Sequence, residues 1–352
     1  MVALDVVHAS NARLRELGPG LVALFVGGTS GIGEFTLKAF VQNTVSPRVY
    51  LVGRNATAAD RIIKECGELN KEAKVEFLRA DVTELKEVDR ACKEIEKREK
   101  RINLIVQTQG NLSLNLRNEN PEGLDRKFTL NYYSRMRFIS NLLPQLRTAS
   151  TEPPHFSRTL SVLGAGHENA INLSDLDLKT TFTGKRCANH TILMNDFMAE
   201  EFAAREPGIS FLHSYPGFVN TGLARELPIW ARVALKVVTP LLSLFMVGAD
   251  ETGQRQLFIS TSGIYPPAKP VEGTALAAGV PLAKGVSLSK GSDGKVRSGA
   301  YLVNWNGEVT GNEKLLSNYR SQGVGKTVWE HTMGMFQKVA KINEGRVDSA
   351  TS

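Results

Sequence analysis

Gly27-Gly28-Thr29-Ser30-Gly31-Ile32-Gly33 stands directly after the apolar run Leu21–Val26 and directly before a helix that reaches about Asn43. Glycines in this position allow a tight turn and let the backbone approach a pyrophosphate closely. The N–H groups at the helix start then receive the phosphate charge. A glycine triplet carries weight when a strand precedes it and a helix follows, as here. The second apolar run, Val49–Val52, ends in Gly53-Arg54-Asn55. A site for NAD places an acid at this strand end to accept the ribose 2′-OH. A guanidinium suits a 2′-phosphate instead, which it can pair bidentately. The loop specifies a dinucleotide, and Arg54 narrows it to NADP(H).

These residues need elements to hold them, and the sequence supplies a regular alternation. Residues 4–17 carry helical apolar spacing, which Gly18–Gly20 break. LVALFV at 21–26 is continuously apolar, as in a parallel strand covered on both faces. Helical patterns over about Ala58–Asn70, Leu85–Lys100, Pro121–Leu142 and 187–205 alternate with strand patterns at Val75–Leu78, Ile102–Val106, Thr159–Leu163 and Ser210–His213. This predicts an α/β fold: a Rossmann-type doubly wound parallel sheet with helices on both faces and a C-terminal lid or extension. Right-handed crossovers place the strand ends, and any ligand, along one edge. Residues 222–248 read as apolar and helical. Residues 262–300, rich in Gly, Pro, Ser and Lys, read as an extended loop, and a last helix spans about Gly325–Ile342. The expected division is an N-terminal helix (1–20), a dinucleotide-binding core (21–222), a substrate lid (223–300) and a C-terminal extension of the same domain (301–352).

The chain has 352 residues, enough to bury a large core without disulfide staples. Its three cysteines, Cys66, Cys92 and Cys187, have no CxxC spacing, which argues for a reducing compartment and against a zinc site. The net charge of +7 comes with no run of Lys/Arg interleaved with aromatics, so no nucleic-acid partner is expected. Asp5, His8, Arg13 and Arg15 interrupt the N-terminus, leaving no signal-peptide core, and a cytoplasmic location is expected. The most apolar segment, 228–247, contains Arg232, Lys236 and Pro240. It predicts a lid or a peripheral membrane contact rather than a span. The expected partner is a small-molecule substrate; nothing in the sequence fixes an oligomeric state.

GGTSGIG at 27–33, ADVT at 80–83, QTQG at 107–110, Asn131 in the following helix and YPGFVNTG at 215–222 together resemble the short-chain dehydrogenase/reductase family. The start ASNARLREL, the SVLGAG turn, and the C-terminal GAYLVNW and VWEHT segments look most like a divergent fungal group found in secondary-metabolite pathways. The resemblance implies cofactor roles for Gly27, Thr29, Ser30, Gly31, Ile32, Gly33 and Arg54. It implies that Asp81 and Val82 contact the adenine and that Gln109 and Gly110 border its ribose. Pro216, Gly217, Val219 and Thr221 would line the nicotinamide. Asn131 would prop the active site through a water, although an asparagine at a helix kink can also serve only the backbone.

The chemistry implied by the family needs a Ser closing the fifth strand and a Tyr-x-x-x-Lys on the next helix. Here the serine position falls on Leu163 or Gly164, and Ser161 comes too early. The tyrosine position falls on Phe182 or Gly184, and no Tyr occurs between Tyr133 and Tyr215. A positioned general acid is worth about 10²–10⁴ in rate, so its loss matters. His190 has a suitable pKa for proton transfer, yet its stripe with Met194 and Phe197 is equally that of a packed helix face. Lys185 or Arg186 could reach the nicotinamide ribose in place of the family lysine. Three activities therefore stand open. One is an NADP(H)-dependent oxidoreductase of a small apolar metabolite, with Asn131, Lys185 and His190 as its catalytic residues. The others are a non-redox isomerase, dehydratase or cyclase on the same scaffold, and a non-catalytic NADP-binding protein.

Overall fold

A computed structural model describes residues 1–111, 116–219, 221, 229, 246–283 and 285–351, with side chains through 345. Seven parallel strands form one sheet: β1 Val22–Val26, β2 Arg48–Gly53, β3 Lys74–Arg79, β4 Leu104–Gln107, β5 Arg158–Val162, β6 Ser210–Ser214 and β7 Ala300–Val303. Their order is β3-β2-β1-β4-β5-β6-β7. The order reverses between β1 and β4, the place where an open α/β sheet leaves a ligand crevice at the carboxyl ends of its strands.

The apolar runs are explained by cover on both faces. In β1, Val22, Leu24 and Val26 point into one core, and Ala23 and Phe25 point into the other. The first core holds α4 (Leu85–Glu96), the helix carrying Asn131, α7 (Gly184–Arg205) and the C-terminal α10 (Val324–Thr351). The second holds α1 (Leu4–Ala12), α2 (Gly31–Asn43), α3 (Ala56–Leu69) and α8 (Ala249–Thr261).

The region read as one helix over 121–142 is segmented. A short α-turn, Arg126–Phe128, passes into a π-helical stretch, Thr129–Tyr133, and then into α5, Ser134–Asn141. Pro144, in the first turn of α6 (Leu143–Thr151), starts a separate helix because proline suits a first turn and breaks an interior.

The division of the C-terminal third needs two corrections. Residues 249–261, placed in a lid, form α8, and every residue from Thr252 to Thr261 is buried. Its sequence, ADETGQRQLFIST, hides this because polar partners satisfy its polar side chains: Asn11 donates to Gln254, and Ser214 donates to Gln256. Residues 300–303, read without secondary structure, form β7 beside β6, and α9, Glu313–Ser321, precedes the last helix. The expected apolar helix at 222–248 and the membrane-contact segment 228–247 lie almost wholly outside the described residues. Among the described residues, no helix is long and apolar enough to cross a membrane.

Candidate functional site

A cleft of about 280 Å³ opens at the carboxyl ends of the strands, above the β1/β4 reversal. The sheet ladder builds it: Val26 pairs with Gln107 and Val52, so the loops after β1, β2 and β4 emerge side by side. Gly27, Thr29, Ser30, Gly31 and Ile32 form its floor. Gly27 has φ +80°, and a Cβ there would stand 2.6 Å from the Gln109 backbone nitrogen. A Cβ on Gly33 would stand 2.8 Å from the Gly28 Cα, so Gly33 lets α2 pack against the turn although it does not line the cleft. Ser30 begins α2 without a side-chain cap bond, leaving the helix N-terminus to meet a ligand through its backbone.

Arg54 is exposed at the end of β2 and lines one end of the cleft with Asp81 and Val82. Asp81 is held in place by Thr83, whose N–H and hydroxyl both donate to Oδ1 at 3.1 and 2.9 Å. A smaller adjoining hollow of about 110 Å³ shares Arg54 and Asp81 and adds Arg126, Lys127 and Phe182. Gln109 and Gly110 line the middle of the cleft, and the buried Gln109 Oε1 has no partner. Pro216 and Thr221 lie at the other end with Val162 and Leu163. Gly217 and Val219 follow in the same loop outside the lining residues.

The expected catalytic residues are dispersed. Asn131 is buried in the π-helical stretch, a form that recurs at functional sites. Its carbonyl accepts from Asn195 Nδ2 at 3.1 Å, and its side-chain Oδ1 is buried without a partner. Lys185 is exposed on the first turn of α7 and does not line the cleft. His190 is 1% exposed: its Nε2 accepts from the Asn172 N–H at 2.9 Å, and Nδ1 faces the Leu176 carbonyl at 3.3 Å. The proton-relay reading of His190 is corrected accordingly. Both ring nitrogens bind the loop before α7 to that helix, and burial lowers its pKa.

After β5, where the implied chemistry wants a serine at Leu163 or Gly164, Leu163 lines the cleft and Gly164 follows it. A Cβ on Gly164 would lie 2.7 Å from Ile192 Cδ1. An aliphatic side chain of α7 therefore occupies this corner. Ser161 is buried within β5 and donates to Asn195 Oδ1 at 2.9 Å.

Arg135, four residues after Asn131, is the site residue that sequence reasoning missed. It lines the cleft and is fully buried. Its Nη1 donates to Ser161 Oγ at 2.7 Å and to the carbonyls of Val162 and Gln107, and Nη2 donates to the Gln109 carbonyl. The guanidinium thus ties together the ends of β4 and β5. The available signal was a charged side chain inside NYYSRMRF, on a helix whose other residues read as core.

The C-terminal helix reaches this same segment. The Tyr132 hydroxyl pairs with Thr332 at 2.5 Å, and the Tyr133 hydroxyl with His331 Nε2 at 2.8 Å. Tyr132→Phe is expected to cost about 1 kcal/mol and to lower the melting temperature by about 1–2 °C. An unchanged melting curve would mean that α10 does not brace the segment through this bond.

A second buried pair lies behind the site. His213 on β6 approaches Asp196 on α7 at 2.5 Å, and its Nε2 accepts from the Gly164 N–H at 3.0 Å. Nδ1 must then carry the ring proton and donate to Asp196. Burial pushes the Asp196 carboxyl well up and lowers His213 to about 3, so burial favours a neutral pair in the fold, with the titrating proton on Asp196. The unfolded pair also holds one proton between about pH 4 and 6.5, and none above that range. Above about 6.5, the pair's contribution to stability is expected to fall as pH rises, until Asp196 itself titrates. Below about 6.5, His190 and His331, both lowered by burial, leave more protons on the unfolded chain, and stability falls again. Urea unfolding of Asp196→Asn across pH 5.5–8.5 should show a flattened alkaline limb. An alkaline limb as steep as that of the unaltered chain would exclude the neutral carboxyl.

Comparison with known proteins places this geometry. A family model described as short chain dehydrogenase matches residues 21–152. An oxidoreductase of Emericella nidulans is 41% identical over 342 residues, covering 96% of this chain and 99% of its own. A short-chain dehydrogenase/reductase of Stachybotrys chartarum is 30% identical, covering 97% and 99%. Among solved structures, the NADPH-bound carbonyl reductase from chicken fatty liver superposes with a TM-score of 0.54 at 15% identity, covering 84% of this chain and 100% of its own. At that identity the likeness shows the shared fold. The two long-range relatives and the match over the core settle the descent: the chain belongs to the short-chain dehydrogenase/reductase family.

Proposed function

We propose that the chain is an NADP(H)-dependent oxidoreductase that reduces a carbonyl, or oxidises the corresponding alcohol, of a small apolar metabolite in fungal secondary metabolism. One observation carries the reading: a glycine-floored cleft at the β1/β4 reversal with a guanidinium, Arg54, at the end where the adenosine half of a dinucleotide lies. The residues fit such a ligand. Gly27 leaves a cradle that a Cβ would fill, and the α2 N-terminus faces a pyrophosphate. Arg126 and Lys127 add positive charge beside Arg54. The fungal oxidoreductase relatives and the NADPH complex of a structural neighbour support the same reading.

Bound NADPH would supply a hydride to the carbonyl carbon while the π pair moves to oxygen and takes a proton, leaving the alcohol and NADP⁺. The chain's own contribution is to orient and to exclude water. Val162, Leu163 and Pro216 make an apolar wall at the far end of the cleft. Among the described residues, Gly164 and Ile192 fill the β5 corner and place no hydroxyl in it, and the proton is proposed to come from solvent. Asn131 is proposed to act through its buried, unpartnered Oδ1. Lys185, on the first turn of α7, is proposed to close over the ribose from outside the cleft.

The test is fluorescence titration with NADPH, followed by incubation with a panel of ketones. Tight NADPH binding with stoichiometric oxidation of NADPH against at least one ketone is expected. Binding without any consumption across the panel would favour a non-redox isomerase, dehydratase or cyclase, the reading that the aliphatic Gly164–Ile192 corner supports.

A further inference from the structure

Arg135 contributes a charge that the proposed reaction does not yet use. The side chain is 0% exposed, and its four bonded acceptors are three backbone carbonyls and one hydroxyl. Its Nε–H has no acceptor, and among the described residues no carboxylate pairs with it. Burying an ion without a counter-ion is costly, and dipoles alone offset that cost here. Burial draws its pKa down to about 9, which leaves the group cationic at neutral pH.

Its place along the cleft gives the charge a consequence. Arg54 and Asp81 mark one end, Gly31 and Ile32 at the α2 N-terminus mark the middle, and Val162 and Pro216 mark the other end. A dinucleotide with its pyrophosphate on α2 and its adenosine half at Arg54 must lay its nicotinamide toward Val162. Arg135 donates to the Val162 carbonyl and lines the same wall. The two redox forms of the cofactor carry identical phosphates and differ at the ring: dihydronicotinamide is neutral, and the oxidised pyridinium is a cation.

We infer that Arg135 makes this site discriminate between the redox forms of its cofactor, binding NADPH more tightly than NADP⁺ and so favouring occupancy by the reduced form. The inference rests on the dinucleotide reading above and adds a preference to it. Like charges in a protein interior repel far more than in water, so the guanidinium penalises the pyridinium and leaves the neutral ring untouched. Reduction consumes the favoured form and leaves the disfavoured one, so the same repulsion that opposes charge on the ring speeds release of NADP⁺.

The experiment measures Kd for NADPH and for NADP⁺ by calorimetry on the unaltered chain, on Arg135→Gln and on Arg135→Lys. The unaltered chain should bind NADP⁺ at least about tenfold more weakly, about 1.4 kcal/mol. R135Q should bring the two constants within about threefold of each other, and R135K should preserve the gap. Both ligands are titrated into the same folded sample, so a general loss of affinity cannot mimic a changed ratio. Equal binding of the two forms by the unaltered chain overturns the inference without needing any variant to fold. A gap that survives R135Q overturns it as well. Failure of the chain to bind either form overturns the dinucleotide reading, and this inference with it.

Discussion

Arg54→Glu is expected to raise the Kd for NADPH by about 100-fold or more while improving that for NADH. A charge-assisted hydrogen bond contributes about 1.5–3 kcal/mol, and a carboxylate facing a 2′-phosphate adds roughly another 1 kcal/mol of repulsion. The same carboxylate can accept the 2′-OH of NADH, as the acid at this strand end does in NAD sites. Arg54 is exposed at the end of β2, so the melting temperature should stay within about 1 °C, as for most surface substitutions. Fluorescence titration with both reduced cofactors gives the two constants. A variant that binds NADPH as the parent does would move the phosphate contact to the neighbouring hollow, where Arg126 and Lys127 lie. Arg126→Ala would then carry the loss.

The residues behind this prediction were legible because local sequence fixes them. LVALFV followed by GGTSGIG reads as strand, turn and helix without tertiary information, and Arg54 follows from finding the second strand. The parallel sheet was legible for the same reason, since β1 to β6 alternate with amphipathic helices. What escaped depends on tertiary partners. α8 has no apolar period because Asn11 and Ser214, both distant in sequence, satisfy its buried glutamines. β7 is four residues long and follows a Gly-, Ser- and Lys-rich stretch, so only its pairing with β6 defines it. Arg135 is the clearest case. Charged residues are almost never fully buried unless paired, so a charge within a helix reads as its solvent face. The open carbonyls of β4 and β5 reverse that reading, and they become visible only when the two strand ends come together.

The same contrast bears on the catalytic corner. The sequence places no serine or tyrosine at the positions the family pattern implies; at the serine corner the structure sets Ile192 against Gly164. His213 braces the Gly164 N–H from behind, and Arg135 holds Ser161 from below. The polar groups near the corner are thus spent on one another. On the proposed reading the proton then comes from solvent, while the residues that remain at the cleft wall govern orientation and charge.

Gly27→Ala is the most damaging small change expected in this chain. The loop needs φ +80° at residue 27, which costs a non-glycine residue about 1–3 kcal/mol. The added Cβ would also stand 2.6 Å from the Gln109 nitrogen and 2.8 Å from its Cα. Those are backbone atoms of the segment leaving β4, and β4 is locked between β1 and β5 by parallel ladders on both sides. Relief can come only by prising the two loops apart, at about 1–3 kcal/mol for overpacking. The sum, roughly 2–6 kcal/mol, should lower the melting temperature by about 3–8 °C. Because the displaced loops are the floor and side of the cleft, NADPH affinity should fall with it by about 100-fold or more, as 1.4 kcal/mol is tenfold. Gly67→Ala is the control: it lies within α3, and a Cβ there meets nothing within 4 Å. That change should stabilise the chain by about 0.5–1 kcal/mol and leave binding alone. Opposite signs for one chemical change, read in the same melting and titration experiments, would separate the backbone demand of the phosphate loop from any general intolerance of alanine. A Gly27→Ala protein that melts and binds NADPH like its parent would mean that this turn does not hold the cofactor.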